Sequence, residues 1–275
     1  MFNPTKILIW SFAAIVSALI VPTLVYAQIQ VVGGLSRRME AAPGEEVQGR
    51  VVVRNASDTP RSARVYLTDY QAFSNGTTRY GDPAENGRSN AAWIHMVPRE
   101  QEIPAKGSAS FHYVISVPED EALSGSYWSM LMVEPIAPEE LAPPDPDGDK
   151  VRFGIRTRTR TGIHIATHIQ DSGKRDLRFS GRELEKQKGN TALRLDLENT
   201  GERYLRLSVW AELFDSQGFS LGRFDAGTRG LYPGNSGRVR MDLAGVPPGE
   251  YEALVVADNG DEYVFGARYE LEIPE

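Results

Sequence analysis

The sequence predicts an all-β protein: two tandem immunoglobulin-like β-sandwich domains after a cleaved signal peptide. Three observations predict it. Past Gln28 the apolar residues recur mainly with period two, the spacing of half-buried strands. Turn signals break this pattern about every 8–12 residues, as in a sandwich, and 26 Gly and 17 Pro in 275 residues supply them. The two halves also repeat one order of elements, which points to two copies of one unit.

The chain opens with Lys6 ahead of an uncharged apolar stretch from Ile7 to Leu24, followed by Val25-Tyr26-Ala27. A positive residue, an apolar run and small residues at the cleavage site are the layout of an export signal. Residues 1–27 are therefore expected to be removed, with an uncleaved N-terminal anchor as the alternative. The mature chain has no second run long enough to span a bilayer. The expected location is outside the cytoplasm, in the periplasm or at the cell surface.

Domain one is expected over residues 28–170. Its strand candidates include Val51-Val52-Val53, Ala63 to Leu67, Phe111 to Ile115 and Tyr127 to Val133. The last run is apolar on both faces, as a central strand covered on both sides would be. Domain two is expected over 171–275 and matches the first piece by piece. VVVRNASDTPRSARVYL pairs with LRLDLENTGERYLRLSVW, setting Asn55 against Asn199 and Leu67 against Val209. FSNGTTRYGD pairs with FDSQGFSLGRFD as a loop with a Gly tip. Each copy then runs from a Pro-Gly turn through a strand to Val-Pro, and on to a Gly-x-Tyr that opens an apolar strand. Pro118 and Pro247 remove a donor where a strand ends, and Tyr127 and Tyr251 are placed to hold a corner through their hydroxyls. Arg182–Lys188 is too short and too charged for a helix with a buried face.

Composition narrows the function classes. With no cysteine there is no disulfide framework, no thiol nucleophile and no thiolate zinc site. A formal net charge of −7 argues against nucleic acid, whose phosphates need a basic surface. His164 and His168 are four apart, which on a strand separates them by roughly 13 Å, too far to share one ion. No G-x-S-x-G or phosphate-binding loop occurs, and the carboxylate pairs sit in turns where solvated charge is the ordinary explanation. No catalytic residue, metal or cofactor is predicted.

The strongest asymmetry follows a Pro-rich acidic segment, residues 137–150, expected to be a loop. Residues 151–169 then alternate strictly. Phe153, Ile155, Ile163 and Ile165 fall on one face with Thr157, Thr159 and Thr161; Arg152, Arg156, Arg158, Arg160, His164 and His168 fall on the other. Such a strand, if at an edge, is a template for addition of another chain. Its arginines suit an anionic partner, unless they only line a solvent face or pair with the acidic segment. Arg37 and Arg38 are candidates to join that basic region. The loop 76–98, leading into Trp93-Ile94, is a second candidate recognition element.

These residues together resemble the periplasmic pilus-assembly chaperones: VVVRNASDTP, then SNAAWIHMVPREQEIPAKGSASFHYVISVP, GSYWSMLMVEPIAP, a loop, and RFGIRTRTRTGIHI. The resemblance implies two immunoglobulin-like domains, and a strand that lends apolar residues to an incomplete partner subunit. It implies Phe153, Ile155 and Ile163 as the lent residues. It also implies Arg160, with Arg37 or Arg38, as a basic pair for the subunit's C-terminal carboxylate. Thr157, Thr159 and Thr161 stand where that family has bulky apolar residues. The first domain is also similar to WxL-interacting surface proteins, through Asn75-Gly76-Thr77-Thr78-Arg79-Tyr80 and the Gly-rich apolar strand; that resemblance implies binding to peptidoglycan or a surface protein. An accessory sandwich of a carbohydrate-active system is a third possibility, needing exposed aromatics such as Tyr70, Phe73 and Tyr80. The expectation carried forward is a non-enzymatic, exported protein that binds another protein, or the cell wall.

Overall fold

A computed structural model describes residues 29–136, 159–187 and 190–274. The segment read as a signal, the acidic segment 137–150, and Phe153, Ile155, Arg156 and Arg158 lie outside the described residues. Among the described residues no helix is long and apolar enough to cross a membrane.

The chain forms two immunoglobulin-like β-sandwiches. In chain order the first contains β1 (Ile29–Val32), β2 (Ser36–Ala41), β3 (Glu46–Asn55), β4 (Arg61–Ala72), β5 (Thr78–Gly81), β6 (Ile94–Val97), β7 (Glu100–Ile103), β8 (Ser108–Ser116), β9 (Gly125–Ile136) and β10 (Thr161–Ile169). One sheet runs β1-β3-β8-β6; the facing sheet runs β2-β10-β9-β4-β5, with β7 also pairing β4. The first strand of the sandwich is thus split between sheets. Gly33, at φ +94°, supplies a left-handed turn at the switch that a side chain would resist. The core is Val51, Val53, Val65, Phe111, Ile115, Leu131, Val133, Ile163 and Ile165, with their neighbours. Each such side chain contributes roughly 1.5–3 kcal/mol on full burial.

The second sandwich contains β11 (Leu177–Gln187), β12 (Asn190–Asn199), β13 (Leu205–Phe214), β14 (Ser220–Leu231), β15 (Ser236–Asp242), β16 (Gly249–Asp258) and β17 (Val264–Ile273). Its sheets run β11-β12-β15 and β14-β13-β16-β17, around Leu193, Leu195, Leu197, Leu205, Leu207, Met241 and Val255.

The two copies share more than strand order. Asn55 is fully buried at the end of β3; its amide donates to the carbonyls of Thr59 at 2.8 Å and Ile103 at 3.1 Å, while its oxygen accepts from Ser57 N–H. Asn199, also fully buried, ends β12 and donates to Arg203 O at 2.7 Å and Leu231 O at 2.9 Å, while accepting from Gly201 N–H. In each copy the amide spans i+4 and the oxygen takes i+2, so one side chain ties a turn to the far sheet. An Asn fits because it alone carries two donors and a two-lone-pair acceptor on so short a stem.

The tyrosine corners differ. Tyr251 donates to Pro247 O at 3.0 Å, as expected. Tyr127 instead packs its ring on Trp93, 4.7 Å between centroids, with Arg88 over its other side. Arg182 lies in strand β11, and the 76–98 loop is more ordered than its composition implies, since β5, a 3-10 turn at Ala91–Trp93 and β6 all fall within it.

Candidate functional site

The outer face of the β2-β10-β9-β4 sheet divides into a covered half and an open half. Over the covered half sits the second sandwich. Trp128 on β9, Ala166 on β10 and Tyr232 of the second sandwich form a buried cluster with Tyr204 packed against it. The Trp128 and Tyr232 rings stack at 4.8 Å with planes 14° apart. His164 lies edge-on to Tyr70 at 4.8 Å and parallel to Tyr232 at 5.7 Å.

Polar groups close the joint. Ser126 N–H donates to Glu202 O at 2.8 Å, and Tyr204 N–H donates to Ser126 Oγ at 2.8 Å. Ser126 Oγ stands 2.8 Å from His168 Nδ1, and in the neutral ring protonated on Nε2 that nitrogen accepts the hydroxyl proton. Burial, reinforced by the charges of Arg203 and Arg38, pushes the His168 pKa down to about 4. Arg203 donates to Glu40 at 3.1 Å and to Gln170 O, and Arg88 pairs with Glu202 at 3.0 Å. Two glycines permit this approach. A Cβ on Gly125 would lie 2.2 Å from Glu202 O, and one on Gly173 would lie 2.4 Å from Gly125 Cα.

The face carrying His164 and His168, read from sequence as continuous with a solvent-facing arginine row, is therefore turned toward the second sandwich at its C-terminal end. Nor is β10 an edge strand along its length. It lies between β9 and β2, pairing with β2 in parallel from His164↔Ser36 to Ile169↔Ala41. Only Thr161, Gly162 and Ile163 pair with β9 alone among the described residues, opposite Val133, Met132 and Leu131. That short edge is open because the chain leaves β1 for the other sheet at Gly33. Beside the gap stands Leu35, 49% exposed, whose carbonyl accepts from His164 N–H.

The remaining predicted residues fall as follows. Ile163 is fully buried in the protein's own core, so its side chain is not on offer to a partner. Arg160 is exposed but committed: its Nε lies 3.6 Å from Glu134, which also binds Arg64 at 3.0 Å. Arg37 faces inward from β2, donating to Gly34 O at 2.7 Å, close enough to Tyr113 for its charge to oppose the burial that raises that phenol's pKa. Arg38 faces the joint and donates to Tyr204 OH at 2.9 Å. The strand register places Arg38 beside Ala166, six residues from Arg160 and so roughly 20 Å away along the strand. Arg160 and Arg38 therefore do not form one carboxylate clamp. Arg203, Tyr204 and Tyr232 went unread in the sequence; the aromatic directly before Pro233-Gly234 was the available signal for the last of these.

Tyr70, Phe73 and Tyr80 form no flat open platform. The Tyr70 and Tyr80 rings are tilted by 54° and Arg79 covers Phe73. Among the described residues no group of three or more His, Asp or Glu is placed to hold a metal ion.

No protein-family model matches the chain, and no curated protein does. Solved structures do. The chain is similar to the chaperones of fimbriae and pili. A chain from the chaperone–tip adhesin complex of CFA/I fimbriae is 12% identical with a TM-score of 0.47, over 90% of this chain and 100% of that one. The class 5 fimbriae chaperone CfaA is 13% identical with a TM-score of 0.46, over 90% and 100%. A chain from the CsuC–CsuE chaperone–tip subunit pre-assembly complex of the archaic Csu pili of Acinetobacter baumannii is 13% identical with a TM-score of 0.45, over 89% and 98%.

Proposed function

We propose that this protein is an exported, chaperone-like binding protein that receives an extended segment of another protein by strand addition at the open edge of β10. The observation that carries this reading is the gap beside Thr161–Ile163. Backbone groups there face no partner strand among the described residues, and Leu35, half exposed, stands beside them. An incoming strand gains main-chain hydrogen bonds from the edge and apolar contact from Leu35. Its affinity comes from the backbone, and its side chains take the place that Ile163, buried inward, does not fill.

Arginine roles follow from position. Arg160 borders the open edge; a partner carboxylate there adds a fourth charge to the Arg64–Glu134–Arg160 row, which carries one net positive charge. Arg38 lies at the other end of β10, where a partner carboxylate reaching it exchanges a neutral phenol for a charge-assisted bond. Arg156 and Arg158 remain candidates of the same kind.

The test is site-specific cross-linking in the native envelope fraction. A benzoylphenylalanine at position 35 is expected to capture a secreted subunit in a one-to-one complex. One at position 219, replacing the 67% exposed Phe219 of the second sandwich, is expected to capture none. Leu35→Asp should abolish capture with the melting temperature unchanged. Equal cross-linking from both positions, or none from position 35, overturns the reading.

A further inference from the structure

Two cavities open beside the joint. The one lined by Arg38, Glu40, His168 and Arg203 belongs to the polar closure already described. The other, of about 260 Å³, lies on the opposite flank, where β4 and β10 of the first sandwich meet β14 and β15 of the second. Tyr70, His164, Thr228, Arg229, Asn235 and Ser236 line it.

Its polar groups are incompletely matched. Arg229 reaches the cavity from β14 by laying its side chain over β15 at Gly237; a Cβ on Gly237 would lie 2.4 Å from Arg229 Nε. That Nε is buried without a hydrogen-bond partner, and Arg229 forms no hydrogen bond or ion pair among the described residues. Asn235 is only 2% exposed, yet its Oδ1 has no partner either. Ser236 Oγ accepts from Ser74 N–H at 2.9 Å, leaving its own proton to donate. Elsewhere around the joint the cations are satisfied, Arg88 by Glu202 and Arg203 by Glu40. A buried guanidinium N–H and a buried acceptor left unpaired are costly, and one ligand with an anionic end and a donor satisfies the two side chains.

We propose that this cavity binds a small carboxylic acid that also carries an N–H or O–H donor, with the carboxylate on the Arg229 guanidinium and the donor on Asn235 Oδ1. The charge count selects a carboxylate over a phosphate dianion. Arg229 supplies the single cation of the lining, because burial, and the charge of Arg38 after it, lowers the pKa of His164 and keeps that ring neutral. The acid is either free or the side chain of a bound protein; the chemistry is shared. The site stands independently of strand addition at β10, since it uses none of the same side chains.

The test is an NMR titration of the full chain, following Arg229 Nε–Hε at constant ionic strength. The probes are lactate, propionate, blocked glutamate (N-acetylglutamate amide) and inorganic phosphate. Lactate or blocked glutamate is expected to shift the resonance saturably, at least ten-fold more tightly than propionate, which lacks the donor. Tighter binding of lactate identifies a free acid, and tighter binding of blocked glutamate identifies a side chain. In Arg229→Gln, followed on His164 ring signals, affinity should fall at least ten-fold. Gly237→Ala, which keeps the charge but displaces the guanidinium, should weaken binding by a similar factor. Arg229→Gln stands alone if Gly237→Ala does not fold. No saturable shift with any carboxylate, undiminished binding in Arg229→Gln, or tighter binding of phosphate overturns the proposal.

Discussion

Trp128 of the first sandwich stacks on Tyr232 of the second, 4.8 Å apart and 14° from parallel. Neither ring belongs to either main core. Each faces out of its own sandwich into the joint, where Trp128 is 1% and Tyr232 6% exposed. The two domains therefore share an apolar contact of their own, reinforced at its rim by Arg88–Glu202 and Arg203–Glu40.

Removing that contact should uncouple the sandwiches. Tyr232→Ala deletes a buried aromatic, a change that costs roughly 3–5 kcal/mol where the cavity cannot collapse. The cores are untouched, so the loss falls on the joint. Urea unfolding of the unaltered chain is expected to be one transition, and that of the variant two. A single unshifted transition in Tyr232→Ala would show that the stacked pair contributes nothing to coupling.

Gly125 should be far less replaceable than Gly76, although both have positive φ, +76° and +85°. Alanine at either position pays about 1 kcal/mol in backbone strain. Gly76 has open space around it, whereas a Cβ on Gly125 meets the backbone of Glu202 at 2.2 Å. Backbone cannot rotate away as a side chain can. Thermal melts should show Gly76→Ala within a few degrees of the unaltered protein and Gly125→Ala well below it. Equal melting temperatures would mean that the joint opens without cost.

The contrast between Asn55 and the joint explains what the sequence disclosed. Asn55 and Asn199 act on turns within five residues of themselves, so their repeat is visible as sequence spacing. The period-two runs likewise fix which residues face the core, and Ile163 and Ile165 lie where that alternation puts them. What covers the other face is a tertiary matter. Alternation assigns His168 and Arg160 to the same side, but His168 lies under Tyr204 while Arg160 meets Glu134 across the strand pair. Register and docking decide this, and neither leaves a local signal. The same limit hid the pairing of β2 with β10, which makes His164 to Ile169 of the expected strand internal to the sheet.

Asn55→Ala and Asn199→Ala should each destabilise their own sandwich by similar amounts. Each removes buried donors from at least two carbonyls and the acceptor of a turn N–H, a loss on the order of 2–4 kcal/mol where the partners stay buried. Asp at the same position keeps the acceptor and loses the donors, so it should recover little. Hydrogen exchange resolves the two effects, because the faster-exchanging amides should lie in the first sandwich for Asn55→Ala and in the second for Asn199→Ala. Uniform acceleration over both would refute the independence of the two turns.

Acid should loosen the joint before it unfolds the cores. His168 has its pKa lowered to about 4 in the folded chain, against about 6.5 in an unfolded one. A base whose folded pKa is depressed binds its proton more readily when unfolded. The neutral form's advantage is thus complete above about pH 6.5, declines as pH falls toward 4, and has no further to fall below that. The total is about 3 kcal/mol. Arg38 and Arg203 face the ring and oppose its protonation, and Tyr204 and Ser126 pack against it; Glu40 and Asp171 line the same cleft, where the Arg175 guanidinium holds the Asp171 carboxyl below its ordinary range. His168→Asn keeps a short polar group near Ser126 and cannot titrate. Urea unfolding at pH 7.5 and 4.5 should show the unaltered chain losing about 2–3 kcal/mol more than His168→Asn over that interval. Parallel losses in the two proteins would mean that His168 is protonated in the joint at no cost, and that its contact with Ser126 does not depend on a neutral ring.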